Sequence, residues 1–260
     1  MRQTLRSLLA LARVRISNVT IYRLSFFTGF FVDATVFLTQ LVFLRLVTAN
    51  AVTEWSHELY SVFVGSFMTL DGVWMTTWFF GIVSLPDKIR SGELDLVLLK
   101  PVNPLLYLTF CNIDVGSLPV TLVGLIVTFA SATRGGFVTL PNVLLWLCAM
   151  LLMYALSYAI SLSLHVLAFW TKSTSMANTI ENTTIEAAMR LPLPAIKGAY
   201  RIVLLGLLPY GLFGNLPAMA MAGQTTPIQW LYITALTAAF SALALLLWRA
   251  GLRRYESASS

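Results

Sequence analysis

Asp33, Gln40, Asp71, Asp114 and His165 each fall inside a long hydrophobic stretch of the chain. A charged side chain at the centre of a bilayer costs a few kcal/mol, so each needs a protein partner, a water-filled cavity or a place near the interface. Two chemistries fit. The carboxylates line a polar translocation path that attracts cations, with Asp71 nearest mid-span. Alternatively, they are structural groups that bond helix to helix, or acids buried in neutral form. His165, near the inner end of its stretch, reads as a bonded or interfacial histidine rather than a ligand. Trp74, Trp78, Phe79 and Phe80 read as an aromatic belt at the membrane interface. Cys111 and Cys148 lie far apart in apolar runs and read as small buried hydrophobes, not as a disulfide or metal pair. There is no G-x-x-x-x-G-K-[ST], hence no Walker A phosphate cradle, and no H-E-x-x-H, paired-Asp or Ser–His constellation for an intramembrane enzyme.

The elements that must hold these groups follow from composition. Of 260 residues, 58% are hydrophobic and 11% are charged, with a mean hydropathy of +0.79. Soluble domains carry about 25% charged residues, so the solvent implied here is lipid. The expected fold is all-α and integral to the membrane, with six spans. The clear ones run near 24–47, 59–83, 105–130, 143–170 and 228–248, each long enough for a hydrocarbon core. Residues 1–23 form an amphipathic helix lying in the headgroup region, with Leu5, Leu8, Leu9, Ala12 and Ile16 as its stripe and arginines at its edges. Those spread arginines argue against a cleavable signal peptide. The net charge of +6 orients the chain rather than pointing to nucleic acid. With the N-terminus inside, segments 1–23, 84–104, 171–201 and 249–260 hold five, three, four and three Lys/Arg, leaving only Arg45 and Arg134 elsewhere.

Residues 173–222 admit two topologies. The stretch 173–190 lacks Gly and Pro and should be helical, yet it carries Asn178, Glu181, Asn182, Thr183, Thr184 and Glu186. Either it is a cytoplasmic helix with a solvated polar face and 201–222 is the fifth span, or it crosses the membrane covered by protein. In the second case 201–222, broken by Pro209, Pro217 and several glycines, is a re-entrant element on the outer side. Asn178 and Glu181 then join the candidate path. Charge bias speaks against that version, because it moves Arg190, Lys197 and Arg201 outside.

Between the second and third spans lies "PDKIRSGELDLVLLKPVNP", residues 86–104. Ser84 followed by Asp87 fits an N-cap with an acid at N3, and Pro86 suits a first turn. Gly92 allows a break. A second short helix then places Glu93 and Asp95 near its start and Lys100 at its end, as the helix dipole favours. Leu94, Val97 and Leu98 share one face, and Pro101 stops the helix. The outcome is a short, capped, amphipathic elbow projecting into the cytoplasm.

Ile89, Arg90, Gly92, Glu93, Leu94, Asp95, Lys100, Pro101 and Pro104 resemble the I-R-x-G-E-L-D…K-P pattern of membrane permease subunits of type-2 ABC exporters. That resemblance implies a permease domain over 24–260, preceded by the interfacial helix 1–23. Segment 84–104 would be a coupling helix seated in a groove of a separate ATPase subunit. Arg90, Glu93, Asp95 and Lys100 would make its polar contacts, and Leu94 and Leu98 its apolar ones. It also implies two ATPase subunits, which bind ATP and Mg, a second permease subunit as homo- or heterodimer, an inner-membrane location and both termini in the cytoplasm. No cofactor is expected on this chain, and the family pattern favours the re-entrant topology. The competing reading is a proton-linked secondary transporter using Asp33, Asp71, Asp114 and His165 as a relay.

Overall fold

A computed structural model of the chain describes residues 31, 35, 38–40, 42, 55–171 and 175–255. The expected interfacial helix 1–23, most of the first span and Asp33 lie outside the described residues. The described elements are helical throughout. Helix α1 (His57–Trp74) starts where Ser56 caps it by accepting from the Leu59 amide. It continues through a π-helical turn, Met75–Phe79, into α2 (Phe80–Val83). Val62, Phe63, Phe67 and Trp74 are almost fully enclosed, so α1 is the central helix and not a lipid-facing one.

Small residues let α1 and α6 (Leu118–Arg134) approach closely. Gly65, Thr69 and Gly72 face Thr121, Gly124 and Thr128. A methyl group on Gly124 would stand 2.5 Å from the Thr69 amide nitrogen, and one on Gly65 2.6 Å from Thr128 Oγ1. Lipid tails are as apolar as leucine, so helices associate in a membrane chiefly by such close backbone packing. Thr69 keeps its own hydroxyl satisfied by donating 2.7 Å to the Gly65 carbonyl.

Two long helices complete the frame. Helix α7 (Leu140–Val166) begins at a Thr139 cap and is bolted to α1 by Trp146 Nε1 donating 2.9 Å to Ser66 Oγ. Helix α12 (Pro227–Arg254) begins with a capping box of Thr226 and Gln229. It packs along α7, and its far end meets the segment just after α7, where Phe169 sits edge-on to Trp248. Leu231, Leu243, Leu245 and Leu246 of α12 stay exposed, as a lipid-facing surface requires. Among the described residues, Val115–Arg134, Leu140–Thr171 and Pro227–Arg254 are long and apolar enough to cross a membrane.

Three expectations need correction. The apolar run at 105–130 is not one helix: α5 (Pro104–Phe110) stops, and Asp114 starts a new turn before α6. Trp74 and Trp78 are not an interfacial belt; they are buried against Phe67, Phe213 and Tyr158. Cys148 is exposed on α7, although Cys111 is buried as expected.

The segment after α7 and α8 (Ala168–Thr171) doubles back. Helix α9 (Met176–Arg190) runs antiparallel to the end of α7, since Asn178 meets His165 and Glu181 meets Ser161. Next come α10 (Ala199–Ile202), a π-helical turn, and α11 (Leu212–Met221). Ala199–Leu207 and Pro209–Met221 are bent by 85° at Leu208. The first limb and the turn after α11 each contact the start of a long helix. Tyr232 donates 2.7 Å to the Leu205 carbonyl, and Gly223 lies beside the Asn142 side chain.

Candidate functional site

The elbow is built as two helices around a glycine corner. Helix α3 (Leu85–Ser91) has Pro86 in its first turn, and Ser84 occupies the N-cap position. The Ser84 hydroxyl, however, donates 2.7 Å back to the Gly81 carbonyl instead of capping. Gly92 takes φ +76°, a left-handed conformation open to glycine at little cost, and α4 (Glu93–Leu98) leaves at a new angle. Asn103 then caps α5 by accepting from the Leu105 and Leu106 amides at 2.9 and 3.3 Å, with Pro104 in the first turn. Lys100 Nζ donates 2.7 Å to the Tyr107 hydroxyl and sits 3.9 Å from that ring's centroid.

The two faces of α4 do different things. Leu94 is 0% exposed and Val97 4%, both turned into the chain's own core. Leu96 is 64% exposed, Leu98 38% and Leu99 81%. Leu94 is therefore an anchor and unavailable to another protein; the outward apolar surface is Leu96, Leu98 and Leu99. Leu96 and Leu99 fall on the opposite side of the helix from Leu94 and Val97, a second apolar stripe present in the spacing of the sequence. Arg90 and Glu93 are exposed, with loose pairs of Arg90 to Asp87 at 4.0 Å and of Lys88 to Glu93 at 3.9 Å. Ile89, Gly92 and Asp95 are partly covered, and Lys100 and Pro101 are exposed. Just past α12, Tyr255 meets Phe169 edge-on, and its phenol is pushed up to about 12 by burial and by the nearby Asp95 carboxylate.

A second constellation lies deep in the bundle, where α7, α9 and the bend meet. Glu181 and His165 are 1% and 0% exposed. Glu181 accepts a bond from Ser161 Oγ at 3.2 Å on one oxygen and from the Tyr210 hydroxyl on the other. His165 Nδ1 donates 2.8 Å to the Ser161 carbonyl and lies 3.6 Å from Glu181 Oε2; Nε2 pairs with the Asn178 amide group at 2.6 Å. A carboxylate buried this deeply requires several partners, and here it has them. Nearby, Asn215 accepts 2.7 Å from the Leu193 amide and donates to the Gly211 carbonyl at 2.6 Å, pinning the chain on both sides of the bend. Gln40 donates to the Met189 carbonyl at the end of α9.

A family model for "ABC-2 family transporter protein" matches residues 30–259. The chain belongs to the ABC-2 transporter family. It is the permease type of that family, a membrane transport component. No curated protein and no solved structure matches it significantly.

Within this ABC-2 permease, the candidate path residues separate. Asn178 and Glu181 come together with His165 in the buried cluster, so Glu181 has no solvated face. Asp71 is buried on α1, well away in sequence from that cluster. Asp114 is not a mid-span group: its carboxylate accepts 3.0 Å from the Gly116 amide and 2.9 Å from Ser117 Oγ, capping the turn that begins α6. Ser161 and Tyr210 were not evident from sequence. Ser161 stands one helical turn before His165 in an apolar run, which is the only local signal it gives.

Proposed function

We propose that this ABC-2 permease is half of an ATP-driven exporter and docks a separate ATPase through the elbow 84–104. The observation that carries this reading is the two-faced α4. Leu94 and Val97 fix the elbow to the transmembrane core, while Leu96, Leu98 and Leu99 offer apolar surface to the aqueous side, flanked by exposed Arg90, Glu93 and Lys100. A monomer gains nothing from three leucines in water, whereas a partner groove would bury them. The corner at Gly92 and the capped α5 make the element stiff. A push delivered there reaches α2 and α5 directly, because Gly81 packs against the Leu108 carbonyl. ATP and Mg would be bound by two ATPase subunits, and a second permease subunit would complete the path in the inner membrane.

For topology we favour six crossings with both termini cytoplasmic, α9 being the fifth and 199–221 a re-entrant element on the outer side. What supports this is the antiparallel return of α9 along α7, the contact of Leu205 with Tyr232 near the start of α12, and that of Gly223, just past α11, with Asn142 at the start of α7. No observation favours a proton relay, and Asp114 is engaged as a cap. The test of the docking reading is co-purification of a tagged chain with an ATPase from its own cells, followed by reversal of charge at Glu93 and Asp95. Retention of the ATPase and of ATP-dependent efflux after both reversals would refute it.

A further inference from the structure

We infer that the Ser161–His165–Asn178–Glu181–Tyr210 cluster is a gate latch, closed in this structure, whose opening exposes a path suited to cationic or hydrogen-bond-donating solutes. The inference rests on the permease reading and adds to it the moving part and the charge preference of the cargo.

The argument starts from how each helix is attached. The α1–α6 seam is held by continuous close packing of glycines and threonines, and α12 lies along α7 on apolar and aromatic side chains. Helix α9 combines both kinds of contact. Ala188 is buried, with Ile185 and Met189 packed against the core, and polar contacts tie the helix to three separate stretches of chain: Ser161 and His165, Tyr210, and Gln40. Apolar contacts tolerate sliding, but hydrogen bonds are directional and fall away within an ångström or so of displacement. An element held in this way has two states, engaged or released, rather than a graded range.

The backbone around the cluster permits release. Tyr210 sits at the 85° bend, immediately after a π-helical turn over Val203–Leu207. Gly198, between α9 and that turn, has φ +58° with open space around it. Once parted, Glu181, Asn178 and the two hydroxyls cannot stay dry in a membrane, because unpaired polar groups there are costly. Water must follow them, and the surfaces that separate become the walls of the opening. Glu181 is the carboxylate of the cluster, so the opening favours a cation or a neutral donor over an anion.

The test uses the full chain alone in sealed proteoliposomes loaded with ethidium, a cation, or carboxyfluorescein, an anion. Wild type should retain both. Tyr210→Phe removes one hydroxyl from the latch and should speed passive ethidium release at least tenfold, with carboxyfluorescein rising much less. Glu181→Gln should also leak, but without preference between the dyes. Ser161→Ala, the gentlest change, is the safeguard if Tyr210→Phe fails to insert, and it must still raise ethidium release. A purely structural cluster predicts lower melting temperatures and no leak. Folded variants that hold both dyes as tightly as wild type overturn the latch, as does equal release of the two dyes by Tyr210→Phe. Capture of the ATPase by the elbow should be unchanged in these variants, so loss of the latch reading leaves the docking reading standing.

Discussion

Leu94 and Leu99 are the same residue type on one short element, and truncating each should give opposite results. Leu94 is fully enclosed. Leu94→Ala therefore removes three buried carbons and leaves a cavity, which typically costs 2–5 kcal/mol of stability. Leu99 is 81% exposed, so Leu99→Ala should change stability by no more than about 0.5 kcal/mol. Against a partner, the roles reverse. Burying an exposed leucine contributes about 1.5–3 kcal/mol, and each 1.4 kcal/mol is about tenfold in affinity. Leu99→Ala should weaken ATPase capture by about ten- to a hundredfold at an unchanged melting temperature. Leu94→Ala should lower the melting temperature by several degrees, with any loss of capture following loss of folded protein. Thermal unfolding of the detergent-solubilised chain and titration of captured ATPase measure the two quantities separately. If Leu99→Ala lowers the melting temperature as much as Leu94→Ala does, or leaves capture untouched, the two-faced elbow is wrong.

Charge reversal at Glu93 should weaken ATPase capture more at low salt than at 0.5 M, because exposed charges are screened beyond a few ångströms there. Membrane insertion should be unaffected, since the Lys88–Glu93 pair at 3.9 Å is too loose to matter for folding. Gly124→Ala places a methyl group 2.5 Å from the Thr69 amide nitrogen. Overpacking of that kind costs about 1–3 kcal/mol, so the melting temperature should drop, and Gly206→Ala, with nothing within 4 Å, should serve as the silent control. The Tyr255 phenol is raised from 10.0 to about 12. A raised value means that the protonated form is the one stabilised by folding. That contribution is complete below pH 10 and is lost as pH climbs toward about 12, a step that melting curves of Tyr255→Phe should lack.

Much of the frame was legible in the sequence because it depends on local rules. The apolar runs that became α7 and α12 were placed within a few residues, and so was the elbow, whose Pro86, Gly92 and Pro104 act through their own backbone. The misreadings share one cause. Averaging hydropathy over a window merges α5 with α6, because a single Asp–Val–Gly–Ser turn barely lowers the mean while its capping bonds begin a new helix. The direction of Leu94 depends on what lies beneath it, and no spacing rule supplies that. The buried cluster is the extreme case. Glu181 is satisfied by Ser161 from 20 residues before it and by Tyr210 from 29 residues after it, so nothing near Glu181 marks it as buried.

The same nonlocal burial bears on the direction of α9 in the membrane. Charge bias in the sequence spoke for a cytoplasmic helix, because a crossing carries Arg190, Lys197 and Arg201 outward. The penalty is smaller than it first looks. After the move the inner segments still hold five, three, one and three Lys/Arg, against five outside, and orientation follows the excess rather than a complete absence of outer cations. The hydropathy argument against a crossing is weakened only in part. A helix pays for polar side chains in a membrane where they meet lipid; Glu181 does not, whereas Asn182, Thr183 and Glu186 are exposed on this chain, so a crossing requires that face to be covered by protein. The two topologies part at Lys197, which is exposed and lies just beyond α9. In a background with Cys111 and Cys148 changed to serine, Lys197→Cys should react with a membrane-impermeant maleimide on intact cells. Lys88→Cys in the elbow should react only after lysis. Labelling of Lys197→Cys only after lysis would return α9 to the cytoplasm and make 199–221 a broken span.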